Sequence, residues 1–196
     1  MSPAPANHHH HYGCFLFLCI IGFLVVVASF CYTYFTCFES EKSMIRDRDD
    51  LIVECKRLCD TVPKFSILAT KYDMALFYTL NKAKRARKQF YLTSSIPKKA
   101  DAYYTLEASL ATIATTLKDN RLAIKDSRWL DVTKDLRNIT NRVSKAQVTY
   151  TTSARAYNAT LTGELRKMWL KVLDFKPADE FVKPAHLIKQ PKNTGR

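Results

Sequence analysis

The cysteines and histidines are the residues of this 196-residue chain with the most chemistry to offer, six of one and five of the other. Cys55 and Cys59 stand four apart, which sets both thiols on one face of a helix, a spacing used in metal binding and in thiol redox work. No further Cys or His lies near them in sequence to complete a zinc site, so the pair reads as two small apolar core residues. Cys14, Cys19, Cys31 and Cys37 fall in or at the edge of an uncharged stretch, where a thiol needs no partner. Cys37, at its margin, is a candidate for palmitoylation. His8 to His11 are consecutive in a short N-terminal stub and pre-organise no metal site. The fifth histidine, His186, stands in a Lys- and Pro-rich terminus. A second imidazole in the soluble part, a Gly-rich phosphate loop, a His-Glu-x-x-His helix and a nucleophile elbow are all missing. The expectation is a non-enzymatic protein with no catalytic residue, no metal and no cofactor. Sequons at Asn138 and Asn158 would matter only if this part of the chain faced a secretory lumen.

Charge is the stronger signal. Thirty-one Lys and Arg against 18 Asp and Glu give a net charge of +13, with every basic residue beyond position 41. Lys82, Lys84, Arg85, Arg87 and Lys88 form the densest cluster, on a predicted helix whose apolar stripe ends at Phe90. Such a face can lie against anionic headgroups, at about 1 kcal/mol per basic residue near a lipid surface, can contact a protein partner, or can simply be solvated. Phosphates of nucleic acid attract the same residues, but no recognition helix or stacking platform accompanies them, so nucleic acid is disfavoured.

Stepping outward to the elements, the stretch from Cys14 to Phe38 carries no charged side chain. At about 1.5 Å per residue it covers a hydrocarbon core of roughly 30 Å with room for tilt. A secretory signal peptide would want a basic start, a shorter core and a small-x-small cleavage site, none of which is present. The chain is therefore expected to be integral to a lipid bilayer, with one span. Lys42, Arg46, Arg48, Lys56 and Arg57 follow that span and no Lys or Arg precedes it, which places the N-terminus outside and the soluble domain in the cytoplasm.

Beyond the span glycine is scarce and apolar residues recur at helical spacing. Ile45, Ile52, Cys55, Cys59 and Val62 mark a helix that continues from the membrane and ends before Pro63. Tyr72, Leu76, Leu80, Ala83, Ala86 and Phe90 mark a second. Tyr103, Leu106, Leu110, Ile113 and Leu117 mark a third, broken at Lys118 to Arg121. The fourth stripe runs from Val132 through Leu136, Ile139, Val143, Tyr150 and Tyr157 to Met168 and Val172, with Gly163 the place for it to bend or break. Tyr150 and Tyr157 read as core-edge residues with wet hydroxyl tips. These patterns predict an all-α chain: a stub at 1–13, a transmembrane helix at 14–38, an elongated antiparallel bundle of about four helices at 39–176, and an extended basic tail at 177–196.

Residues 132–158 resemble the long helix of the bacterial LemA family through Leu136, Val143, Ala146, Tyr150, Ala154, Tyr157 and Asn158, of which the pair Tyr157 and Asn158 is the sharpest match. Thr140, Gln147 and Thr151 depart from the acidic, Arg and Asn positions of that pattern. Arg48 to Ile52 is similar to the family's early Arg-x-Asp-Leu-Ile with one residue inserted. Asp174 and Phe175, followed by Phe181, resemble its Gly-Phe and second Phe, without the Phe-Pro between them. The resemblance implies a single N-terminal membrane helix, a helical bundle and no settled molecular activity. The expected role is a membrane-surface scaffold or tether with a protein partner or assembly. The alternatives are an envelope signalling or assembly factor of the same type, and an anchor between a membrane and a protein shell such as an organelle coat or virion capsid.

Overall fold

The computed structural model describes residues 9–162 and 164–185. Five helices make up the fold: α1 (His9–Tyr72), α2 (Phe77–Leu92), α3 (Ile96–Lys118), α4 (Ser127–Thr160) and α5 (Glu164–Leu173). The described residues contain no strand, so the all-α expectation holds.

α1 is a single helix of 64 residues, about 95 Å long by its rise. Its first part is long and apolar enough to cross a membrane and leaves Leu16 to Val27 exposed all round. Its second part buries one stripe, Leu51, Cys55, Leu58, Cys59, Val62, Phe65, Leu68 and Ala69. The expected stop before Pro63 does not occur, and the helix runs on to Tyr72. Proline in a helix interior costs about 3 kcal/mol, since it cannot donate to the carbonyl a turn earlier. Phe65 and Leu68 are almost wholly buried, and burying each contributes about 1.5–3 kcal/mol. Only a continued helix keeps them on the core face, and their burial outweighs the proline.

The turns follow from short polar side chains. Asp73 is extended and its carboxylate accepts from the Ala75 amide at 2.8 Å, setting one 3-10 turn before α2. Asn120 accepts from the Leu122 and Ala123 amides and donates to the Tyr72 carbonyl at 3.2 Å, which ties the α3–α4 connection to the end of α1. Asp126 caps α4 by accepting from the Arg128 amide.

α4 packs antiparallel along α1, as the pairs Lys71–Asp126, Lys64–Asp135 and Glu54–Arg142 show in order. α2 and α3 form a second antiparallel pair laid over the distal half of the first. Ala83, Ala86, Ala100 and Ala102 are all buried, and their small side chains let the helices approach closely. Phe65 and Trp129 meet edge to face at 6.4 Å within this half. Leu136 is only partly buried, whereas Val143 is fully so.

The long fourth stripe is two helices. α4 ends at Thr160 and α5 begins at Glu164; Gly163 itself lies outside the described residues, as do His8, His186 and the rest of the basic terminus. After α5 the chain turns at Asp174, whose φ of 53° is left-handed. This is the position where the family pattern has Gly, and Asp is among the few other residues that tolerate it. Residues 175–184 are then extended but are no free tail: they run back along α4 as a strap, and Phe181 is fully buried. The boundary at 177 falls inside this strap.

Candidate interaction surfaces

The strap is held almost entirely by side chains of α4. Tyr157 donates its hydroxyl to the Lys176 carbonyl at 3.0 Å, and Tyr150 donates to that of Asp179. Asn158 donates to the Ala178 carbonyl and accepts from the Ala178 amide, at 3.0 and 2.7 Å. Gln147 donates to the Phe181 carbonyl at 3.1 Å. An extended segment brings backbone groups with no partners of its own, and one face of α4 supplies them. The two tyrosines are core residues, as expected, but their tips are not wet: the hydroxyls are spent on the strap. Burial pushes the Tyr157 phenol up to about 12, so it remains a donor at any physiological pH. Phe181 closes the arrangement against Tyr103 and Tyr104, at 5.8 and 6.1 Å.

The paired thiols of α1 are core groups and not a reactive centre. Cys55 and Cys59 are buried in the core, and burial raises both, Cys59 to about 12 and Cys55 further. A protonated thiol is a poor nucleophile and a poor ligand. Cys37 is also fully buried, which withdraws it from palmitoylation. Glu107, half-buried, is raised by burial, and Tyr103 donates to it at 3.3 Å; that contact lies beside the strap. A shallow groove of about 290 Å³ between α1 and α4 is lined by Ile67, Leu68, Val132 and charged rim residues. Across that rim Lys64 and Asp135 are paired at 3.2 Å.

The predicted basic cluster separates into two sets. Lys82, Lys84, Arg85 and Lys88 are exposed along the outer face of α2. Arg87 turns inward: it lies 4.0 Å from Asp60 and over the Tyr91 ring at 5.8 Å, while Tyr91 donates to Asp60 at 3.2 Å. Arg87 therefore fastens α2 to α1. At the end of the bundle farthest from the apolar part of α1, the same helix starts beside residues the sequence reading missed. Met74, Phe77, Tyr78 and Leu122 are exposed at 75, 64, 80 and 71%. Their signal in sequence is that large apolar residues stand at the start of α2 and in the connections beside it, outside every stripe. Beneath them Asp126 is held by Arg128, by the Tyr72 hydroxyl at 2.6 Å and by Lys71 at 3.2 Å. These contacts hold its carboxyl well below the usual range.

An all-helical bundle whose first helix continues out of a membrane-length apolar segment defines a class of membrane-associated proteins. The clasp residues Tyr157 and Asn158, the left-handed turn at Asp174 and the buried Phe181 all fall within the segment that one family model matches. The chain belongs to the LemA family, whose family model matches residues 48–193. No curated protein matches it.

Proposed function

We propose that this chain is a non-enzymatic, single-pass membrane tether that holds a protein partner away from the bilayer. α1 crosses the membrane with its N-terminus outside, and the bundle stands in the cytoplasm. The partner docks at the distal end, on Met74, Phe77, Tyr78 and Leu122, with Lys82, Lys84, Arg85 and Lys88 contacting an acidic rim. One observation carries the reading: Met74, Phe77, Tyr78 and Leu122, four large apolar side chains at the distal end, are each 64% exposed or more. Exposed apolar side chains gathered at one end of a fold mark interaction sites, and aromatic anchors are over-represented in them. A protein partner is favoured over headgroups of the same bilayer by distance. From Thr33 to Asp60, level with Arg87, α1 rises about 40 Å.

The test is site-specific photocrosslinking in intact membranes from a benzophenone placed at Tyr78, with Lys171 as the proximal control. A discrete protein adduct from Tyr78 alone, lost on Phe77→Asp, is expected. Adducts only to lipid, or equal protein adducts from both sites, would overturn the tethering role.

A further inference from the structure

α5 sits against α1 at a depth where water is not the expected surrounding. The Trp169 ring meets Phe30 edge-on, with centroids 5.3 Å apart and planes at 80°, and Phe175 then approaches Tyr34 at 6.4 Å. Phe30 belongs to the uncharged stretch. A hydrocarbon core of about 30 Å entered at Cys14 ends some 20 residues later, near Thr33. Thr33 and Cys37 are already buried against protein, so the bundle begins where that core ends. Phe30 is then in the last turn of the span, and whatever packs on Phe30 shares the lipid boundary.

The composition of α5 fits that depth. On a helical projection Trp169, Leu173 and Leu170 occupy the arc nearest α1, and all three are half-buried. Met168 and Val172 flank that arc one turn apart and are 55 and 73% exposed, while Lys171 stands on the face turned away from Trp169. An apolar arc with a basic residue on the polar face behind it is the pattern of helices that lie in the plane of a membrane, buried about 5–10 Å at the boundary of headgroups and acyl chains. Both ends of α5 return to the polar bundle, one through the end of α4 and the other through the Asp174 turn and the strap. The segment is a dip into lipid between two fixed points.

We propose that α5 is an interfacial lipid-contact helix: Met168, Val172 and Trp169 lie among acyl chains at the exit of α1, and Lys171 reaches the headgroup phosphates. This placement rests on α1 crossing the bilayer and is independent of the tethering role.

The chain has two tryptophans, and Trp129 is buried in the distal half. Full-length protein carrying Trp129→Phe therefore reports Trp169 alone. It would be reconstituted in phosphatidylcholine–phosphatidylglycerol vesicles with or without acyl-brominated phosphatidylcholine. A twofold or greater loss of emission with brominated chains is expected, with no effect of aqueous iodide. The Trp169→Phe protein should respond to neither. Wild-type protein, with both rings, repeats the readout at about half the amplitude if Trp129→Phe disturbs folding. Quenching of Trp169 by iodide and not by bromine would overturn the placement, as would protection from both, which means protein covers the helix. Alkaline carbonate extraction of the same vesicles separates the two failures. Protein retained in the pellet without bromine quenching refutes the α5 placement alone, and protein released refutes the span.

Discussion

The α1–α4 pair is covered in two different ways along its length. In the distal half α2 and α3 lie over it; in the proximal half an extended strap does. A helix arrives with its backbone hydrogen bonds already made, so covering with helices requires only matching apolar stripes. A strap arrives with open carbonyls and amides, so the surface beneath must present donors and acceptors at the right spacing. Gln147, Tyr150, Tyr157 and Asn158 are that surface, and Tyr157 and Asn158 are also the pair in which the resemblance to the family is sharpest. In the distal half packing decides the structure. In the proximal half hydrogen bonds to one helix face decide it as well.

The difference can be broken or sharpened by substitution. Val143, fully buried on α4, belongs to both halves, and Val143→Asp leaves an unpaired charge in the core. A loss of about 4 kcal/mol or more is expected, against a total of about 5–15, and a calorimetric melt should show both halves failing together. Phe181→Ala comes next, at about 3 kcal/mol. Hydrogen exchange should then accelerate at Ala178 while α2 and α3 stay protected; equal acceleration everywhere would mean the halves are one cooperative unit. Tyr157→Phe removes one hydroxyl from the clasp and should cost about 1 kcal/mol, again read at Ala178 and not in α3.

The smallest effect belongs to the distal end and to acid. Contacts from Arg128, Tyr72 and Lys71 depress the folded-state carboxyl of Asp126. Its contribution is therefore present above the ordinary carboxylate value of about 4 and disappears as pH falls through the depressed one. Melts taken from pH 5 down to pH 2 should decline less steeply in Asp126→Asn than in wild type, with the difference confined to amides near the α3–α4 connection.

Most helices were legible because period is. The stripes through Leu80, Ala83, Ala86 and Phe90, and through Tyr103 to Leu117, are the buried faces of α2 and α3. Pro63 misled, because a local breaker was weighed without the burial of Phe65 and Leu68 on its far side. The strap was not legible, because an extended segment fastened by side chains has no period of its own. Its traces were Gln147, Tyr150, Tyr157 and Asn158 on one helix face and the aromatic Phe181 in a Lys- and Pro-rich terminus. The end of the apolar run at Phe38 overshot the bundle's start, since Thr33 and Cys37 face protein there. Apolar character cannot tell lipid from core. In the basic cluster Lys82, Lys84, Arg85 and Lys88 are exposed, whereas the pairing of Arg87 with Asp60 joins two helices and leaves no mark in a local pattern.

Because α1 is unbroken from His9 to Tyr72, no joint separates its membrane-length apolar part from the part that carries the bundle. Any lean of the buried segment is carried outward as the same lean of the whole mast. Spans commonly tilt by about 20°, and over the roughly 60 Å from Thr33 to Tyr72 that swings the far tip sideways by about 20 Å. A thinner or thicker bilayer would thus change the reach of whatever rides on the tip, with no rearrangement of the bundle.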